Sequence, residues 1–187
     1  MNDDLLKAYD TLRAGGIILY PTDTIWGIGC DATCEDAVQR IYSLKQRQDE
    51  RSMLILLDDA SKIEDYVEVV PEIAWNLIKI ADKPLTIIYP DAKNLAKNLI
   101  AADGSVGIRI VKDEFCRLLI RKLGKPLVST SANVSGKPWP PSYNKIDKSL
   151  VKAADYVVNW RQNDEKRGKP SGIIKLGRKG EIQVIRE

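Results

Sequence analysis

A succession of short apolar runs constrains this chain more than any other feature. IILY at 17–20, MLILL at 53–57, LTIIY at 85–89, SVGIRI at 105–110 and PLVS at 126–129 are four to six residues long and flanked by glycine, proline or polar residues. Runs that short make buried strands rather than helices. Between them, apolar residues return at helical spacing. Leu5, Leu6, Tyr9 and Leu12 form one such face, stopped by Gly15-Gly16. Val38, Ile41, Tyr42 and Leu44 form a second, starting near Glu35 with Thr33 as its cap. Ile73, Leu77, Ile78 and Ile80 form a third behind Pro71, and Phe115, Leu118, Leu119 and Leu123 a fourth, begun at Asp113 or Glu114 and ended by Gly124. Helical turns are predicted at 61–66 and 93–99, and strands at 155–158, 172–176 and 182–185. Alternating strands and helices with a strand-rich end predict an α/β fold, a mixed parallel and antiparallel sheet flanked by helices.

A single domain over 1–187 is expected, because this length buries one core and would crowd two. The 29 Lys and Arg against 26 Asp and Glu leave a net charge of +3, too mild to demand a nucleic-acid partner. The charge is uneven, however: between Arg161 and Lys179 seven cations face two anions, Asp164 and Glu165. Such a segment suits an anionic ligand or a solvated loop.

The chain has no histidine. A Ser-His-Asp triad, a His-assisted cysteine, a His-ligated zinc and any imidazole acid or base are thereby excluded. Chemistry must run on carboxylates, hydroxyls, amides, cations or a bound metal. Cys30, Cys34 and Cys116 are odd in number and badly spaced for zinc, so reduced, mostly buried thiols and a cytoplasmic location are expected. The acidic start MNDDLLKAYD is no signal peptide, and no run of eighteen apolar residues predicts a membrane span.

Ligands of α/β proteins bind where strands release their loops. After the first run comes PTDTIWGIG at 21–29, whose hydroxyls and carboxylate can contact a ligand while Gly27 and Gly29 admit close backbone approach, or which is simply an Asx-type turn. After PLVS comes TSANVSG at 130–136, where Ser131 and Asn133, two apart on an extended chain end, project to one side. GKPSG at 168–172 offers Ser171, and Arg109 sits among apolar neighbours where it wants a bidentate anion, internal or from a substrate. Lys45, Arg47 and Arg51 crowd the junction between the second helix and MLILL, as phosphate ligands or as an ordinary solvated helix end. Neither GxxxxGK[ST] nor GxGxxG occurs, so any nucleotide must be held by scattered cations and hydroxyls.

Taken in order, LYPTDTIWGIGCDA, the helix ending in Lys45-x-Arg47, MLILL, KPLT, SVGIRI, PLVSTSANVSGKP, the Ser171 segment and Arg186 resemble the threonylcarbamoyl-adenylate synthase family, the YrdC-like domain, over about 15–186. The resemblance implies a twisted mixed sheet with a large electropositive cavity, and an enzyme joining L-threonine, bicarbonate or CO2 and ATP into threonylcarbamoyl-AMP with release of pyrophosphate. That product serves the modification of adenosine 37 of tRNA. By the same resemblance Lys45 and Arg47 are catalytic and, with Arg51, Ser105, Asn133, Ser142 and Arg186, line the ATP side. Thr24, Arg109, Ser131 and Ser171 surround threonine, and Mg2+ arrives on the ATP phosphates. The implied partners are ATP, L-threonine and bicarbonate, with tRNA or another RNA and a downstream threonylcarbamoyl transferase as macromolecular ones. No C-terminal extension domain is expected, so a lid would come from 137–144 or 161–169. The sequence departs from the family pattern at Gln48, Arg51-Ser52, Lys83 and Gly172. Two alternatives follow: an RNA-binding or ribosome-maturation module with little synthase activity, and a carbamoyl-adenylate chemistry with another amine donor.

Overall fold

The computed structural model describes residues 1–45, 53–164 and 168–187. Among them the helices are α1 (Asn2–Arg13), α2 (Glu35–Lys45), α3 (Glu72–Ile80), α4 (Glu114–Leu123) and α5 (Lys148–Ala153). The strands are β1 (Ile18–Tyr20), β2 (Gly27–Gly29), β3 (Leu54–Leu57), β4 (Leu85–Tyr89), β5 (Val106–Ile110), β6 (Leu127–Ser131), β7 (Tyr156–Val157), β8 (Gly172–Leu176) and β9 (Ile182–Arg186). They lie in the order β7-β1-β2-β6-β3-β5-β4-β8-β9. The β1/β7, β3/β5 and β4/β8 pairs are parallel and the others antiparallel, the mixed sheet that the sequence predicts.

Both faces of the sheet are covered. On one, Ala8 and Leu12 of α1 and Phe115, Leu119 and Ile120 of α4 pack on Ile18, Tyr20, Leu56 and Leu127. On the other, Val38 and Ile41 of α2, Ala74 of α3 and Leu150 of α5 pack on Leu19, Ile28, Ile55, Ile87, Ile108 and Val128. Alternate residues of one strand therefore feed different cores. Each such side chain contributes about 1.5–3 kcal/mol on burial, so a one-residue slip, which would exchange the two sets, is strongly disfavoured.

Several sequence expectations shift. Thr33 is not a helix cap; its hydroxyl donates to Asp31 Oδ1 at 2.7 Å. Leu6 and Ile80 are 51% and 74% exposed, so they leave the apolar faces assigned to them. In α4, Cys116 and Ile120 take the buried positions while Leu118 and Leu123 are half-buried. The predicted turn at 61–66 is a 3₁₀ helix one residue earlier, at Ala60–Asp65, and that at 93–99 shrinks to a 3₁₀ turn at Lys97–Leu99. Helix α5 is new, and so is β2, which lies inside what reads as a loop. A Cβ built on Gly29 would stand 1.9 Å from the Val128 carbonyl oxygen, so only glycine lets β2 lie this close to β6.

One connection crosses the whole sheet. The chain leaves β7 at one margin, where Val158 N donates to Leu19 O at 2.9 Å, and returns as β8, next to the other margin.

Candidate active site

Strand register assembles the site. Residues directly opposed across a ladder share a face, as do residues two apart along a strand. Gly27 opposes Ser131, two residues from Ser129; Ser129 opposes Leu54; Leu54 opposes Gly107, two residues from Arg109; and Arg109 opposes Thr86. Thr86 opposes Ile173, which opposes Arg186. One face of the sheet thus carries Ser131 at one end and Arg109, Thr86 and Arg186 at the other, over a floor that includes Gly27, Ser129 and Gly107. A Cβ at Gly27 would lie 3.2 Å from Ser129 Oγ, and one at Gly107 would lie 3.4 Å from Thr86 Cγ2. Their small size admits the neighbouring side chains, the Tyr20 ring 3.5 Å from the Cβ position of Gly27 and Leu54 3.3 Å from that of Gly107.

At the first end, Lys45 closes α2 with 1% of its surface exposed. Its ammonium donates to the Ser131 carbonyl at 2.5 Å and stands 3.4 Å from both Ser131 Oγ and Asn133 Oδ1. The Ser131 hydroxyl donates to Asn133 Oδ1, and Asn133 Nδ2 donates to the carbonyls of Val134 and Lys137. Strand β6 reaches two residues further than the apolar run suggests, and this brings Ser131 to the lysine. A solvated helix end does not look like this; Lys45 is a buried cation wired to the Ser-x-Asn element.

At the second end Arg109 is 4% exposed, with Nη2 3.2 Å from Asp23 Oδ1. The pair is not aligned for hydrogen bonding. Arg109 Nε and Nη2 and Asp23 Oδ1 are all buried without a hydrogen-bond partner, an arrangement that costs about 1–3 kcal/mol per group until something completes it. The other Asp23 oxygen accepts from Lys112 N at 2.9 Å. Ser171 and Thr86, each 2% exposed, share a hydrogen bond of 2.8 Å between hydroxyls, and Arg186 Nε donates to Ser171 O at 2.9 Å. Burial first, and then the charge of Arg109, hold the Arg186 guanidinium below the usual arginine pKa. Two guanidiniums that repel across a pocket favour an anion between them.

Thr24 sits in the loop between β1 and β2, 8% exposed, its hydroxyl 2.9 Å from that of Thr22. That loop is an ordered turn: Thr22 Oγ1 also accepts from Thr24 N and donates to Ile25 O. It lies over the sheet face, because Asp23 reaches Arg109 and Cys116 Sγ donates to Pro21 O. Ser105, 6% exposed, is bound through N and Oγ to Asp103 Oδ1 at the start of β5. Ser142 precedes the 3₁₀ turn at Tyr143–Lys145, half-buried, with no side-chain hydrogen bond to the other candidates among the described residues. Trp26 is core, 7% exposed, its ring 5.1 Å from that of Tyr143. Arg47 and Arg51 lie outside the described residues, as do Gln48 and Ser52. The structure therefore brings together Lys45, Ser131 and Asn133 in one group and Arg109, Ser171 and Arg186 in another. Sequence reasoning offered the Asp23 carboxylate as a ligand contact without foreseeing its partner Arg109, and it gave no role to Thr86, although a hydroxyl inside the apolar run LTIIY is the signal that could have found it.

Three of the seven cations between Arg161 and Lys179 are paired with carboxylates among the described residues. Arg161 pairs with Asp113 and Asp164, Lys175 with Asp103, and Arg178 with Asp91. Burial raises the Cys30 and Cys116 thiols, which keeps them neutral and unreactive. Behind the site, Leu85, Ile87, Ile108 and Ile110 turn the opposite way and line an apolar cavity of about 70 Å³ with Lys83 and Lys112 among its lining residues. It holds none of the candidate residues, because the sheet itself stands between.

Fold and site together define an α/β protein whose mixed sheet carries two groups of buried polar and cationic side chains, Lys45 with Ser131 and Asn133, and Arg109 with Thr86, Ser171 and Arg186. The chain belongs to the Sua5/YciO/YrdC family: the family model described as "Telomere recombination" matches residues 10–187. A threonylcarbamoyl-AMP synthase of Stutzerimonas stutzeri is 34% identical over 173 residues, 91% of each chain. Among solved structures, E. coli YciO superposes with a TM-score of 0.87 at 25% identity, over 100% of this chain and 90% of that one. P. abyssi Sua5 complexed with L-threonine gives 0.81 at 25% identity, over 92% of this chain and 50% of that one. This chain therefore spans about half the length of the Sua5 chain. No described helix is long and apolar enough to cross a membrane.

Proposed function

We propose that this protein is an L-threonylcarbamoyladenylate synthase, a nucleotidyltransferase acting in the cytoplasm as a single domain over 1–187. The observation that carries it is the pair of polar groups that the strands bring to the two ends of one register run, Lys45–Ser131–Asn133 and Arg109–Thr86–Ser171–Arg186. One end can take phosphates and the other a carboxylate, both of them reactants of this synthesis. The L-threonine complex of P. abyssi Sua5 and the synthase names of the relatives support the reading.

In the proposed reaction the threonine amine adds to CO2 derived from bicarbonate, giving a carbamate. A carbamate oxygen attacks the α-phosphorus of ATP, and pyrophosphate leaves. Such a displacement needs alignment and charge neutralisation more than a strong base, which a histidine-free chain can supply. Arg109 takes the threonine carboxylate, with Thr24, Ser131 and Ser171 around the rest of the amino acid. Lys45, Arg47 and Arg51 take the phosphates, and Ser105, Asn133, Ser142 and Arg186 line the nucleotide side. No cluster of three or more acidic or thiol side chains able to hold a metal exists among the described residues, so the proposed Mg2+ travels on the triphosphate and neutralises its charge there. The product serves tRNA modification through a downstream transferase.

The test is pyrophosphate release by purified protein with ATP, Mg2+ and bicarbonate. Release should depend on L-threonine; folded protein that shows no such dependence would sink the proposal. The RNA-binding alternative rests on the basic segment, of which Arg161, Lys175 and Arg178 are internally paired. It predicts tight, salt-sensitive RNA binding with little ATP turnover.

A further inference from the structure

We infer that Arg161 is the positioning residue that sets the threonine half of the pocket, an inference resting on the synthase reading above. Of the connection from β7 to β8, the residues before 165 and after 167 both meet the loop carrying Thr24, Arg161 at the Thr22 carbonyl and Gly168 at the Thr24 carbonyl, and the connection ends at Ser171. Arg161 pins it there. Its Nη1 donates to Thr22 O at 3.1 Å and to Asp113 Oδ2 at 2.9 Å, while Nε donates to Asp164 Oδ2 at 2.8 Å. One guanidinium thus joins the backbone of the Thr22–Thr24 turn, the capping carboxylate of α4 and its own loop.

Two further observations show that this contact is specific. Arg161 holds φ +64°, in the left-handed region that few side chains other than glycine adopt without strain. Its side chain must offset that strain, and the three hydrogen bonds are the means. Further along, a Cβ built on Gly168 would fall 1.5 Å from Thr24 O, so the same connection lies directly on the Thr24 backbone. Fixed at Arg161 and pressed against Thr24, the connection delivers Ser171 to its hydrogen bond with Thr86, opposite Arg109. Arg161 touches no reactant; it acts through the placement of Thr24 and Ser171. Misplacing such groups by an ångström is enough to cost roughly ten- to a hundredfold.

Arg161→Gly is the informative variant, because it relieves the backbone while removing the guanidinium. Affinities for L-threonine and for α,β-methylene-ATP would be measured by calorimetry, with the melting temperature alongside. The expected result is threonine affinity weakened about tenfold or more, nucleotide affinity within about twofold of wild type, and folding retained. Gly168→Ala should reproduce the split, and Arg161→Lys, which keeps the charge without the fork, should restore part of the affinity. Should Arg161→Gly not fold, the same split in Arg161→Lys decides. Unchanged threonine affinity, or a parallel loss of both ligands, overturns the inference alone. Wild-type protein that binds the nucleotide analogue but no threonine overturns the synthase reading and this inference with it.

Discussion

At the residue scale, the buried cations carry the chemistry and their partners decide what substitutions do. Removing Lys45 deletes the ammonium bonded to the Ser131 carbonyl together with the fully buried stem that carries it. Lys45→Ala should therefore cost about 1–3 kcal/mol in urea unfolding as well as about a hundredfold in pyrophosphate release. A lysine on a solvated helix end would show no such stability loss. Thr86→Val keeps the shape but strips the Ser171 hydroxyl of its partner. The expected outcome is a raised KM for threonine with the KM for ATP little changed, and equal effects on both would refute a role specific to the amino acid. Arg161 extends the same logic to a residue that meets neither substrate. Its left-handed backbone, at about 1–2 kcal/mol, is smaller than the combined worth of three charge-assisted bonds, which is why arginine rather than glycine can stand there.

At the scale of elements, strands with apolar side chains were readable and those without were not. The runs at 53–57 and 85–89 announce themselves through leucine and isoleucine, whereas β2 is Gly-Ile-Gly and offers one apolar side chain to a pattern search. What defines it is the closeness of the β6 backbone. Gly29→Ala should accordingly break the β2/β6 ladder and lower the melting temperature sharply, while Gly124→Ala, at an exposed helix end with open space around it, should cost far less. Helix faces misread at Leu6 and Ile80 share one cause: periodicity shows which side is apolar, not how far a neighbour extends to cover it. The convergence of Asp23 on Arg109 and of Thr86 on Ser171 comes from cross-strand register and a loop folded over the sheet, which no local window contains. At the start of β5, the Asp103 pKa is pulled down to about 2, chiefly by the Lys175 ammonium and then by the Ser105 hydroxyl. A depressed carboxyl stabilises the fold above its unfolded pKa, near 3.9, and that contribution fades as pH falls through about 2. Asp103 is half-exposed, so Asp103→Asn should cost under about 1 kcal/mol at pH 7. Its deficit against wild type in thermal melts should shrink between pH 4 and pH 2; a constant deficit would remove the ion pair from the explanation.

At the scale of the whole molecule, substrates that bridge both ends of the pocket should tie the sheet together. With ATP and L-threonine each near a hundred times its dissociation constant, each contributes about 2.7 kcal/mol of stabilisation. For a chain of this length that is a rise on the order of 5–10 °C in melting temperature per ligand. Threonine should produce its share only in protein whose Arg109 is intact, and an undiminished shift in Arg109→Ala would remove the carboxylate from that end.

The face that runs by register from Gly27 to Arg186 also imposes an order on biosynthesis. Lys45 and the Thr24 turn leave the ribosome early, whereas Ser171 and Arg186, which complete the opposite wall, emerge last. A nascent chain lacking β8 and β9 holds Thr24, Lys45, Arg109 and Ser131 but neither Ser171 nor Arg186. Until β8 docks beside β4 and β9 beside β8, each reactant meets an incomplete wall.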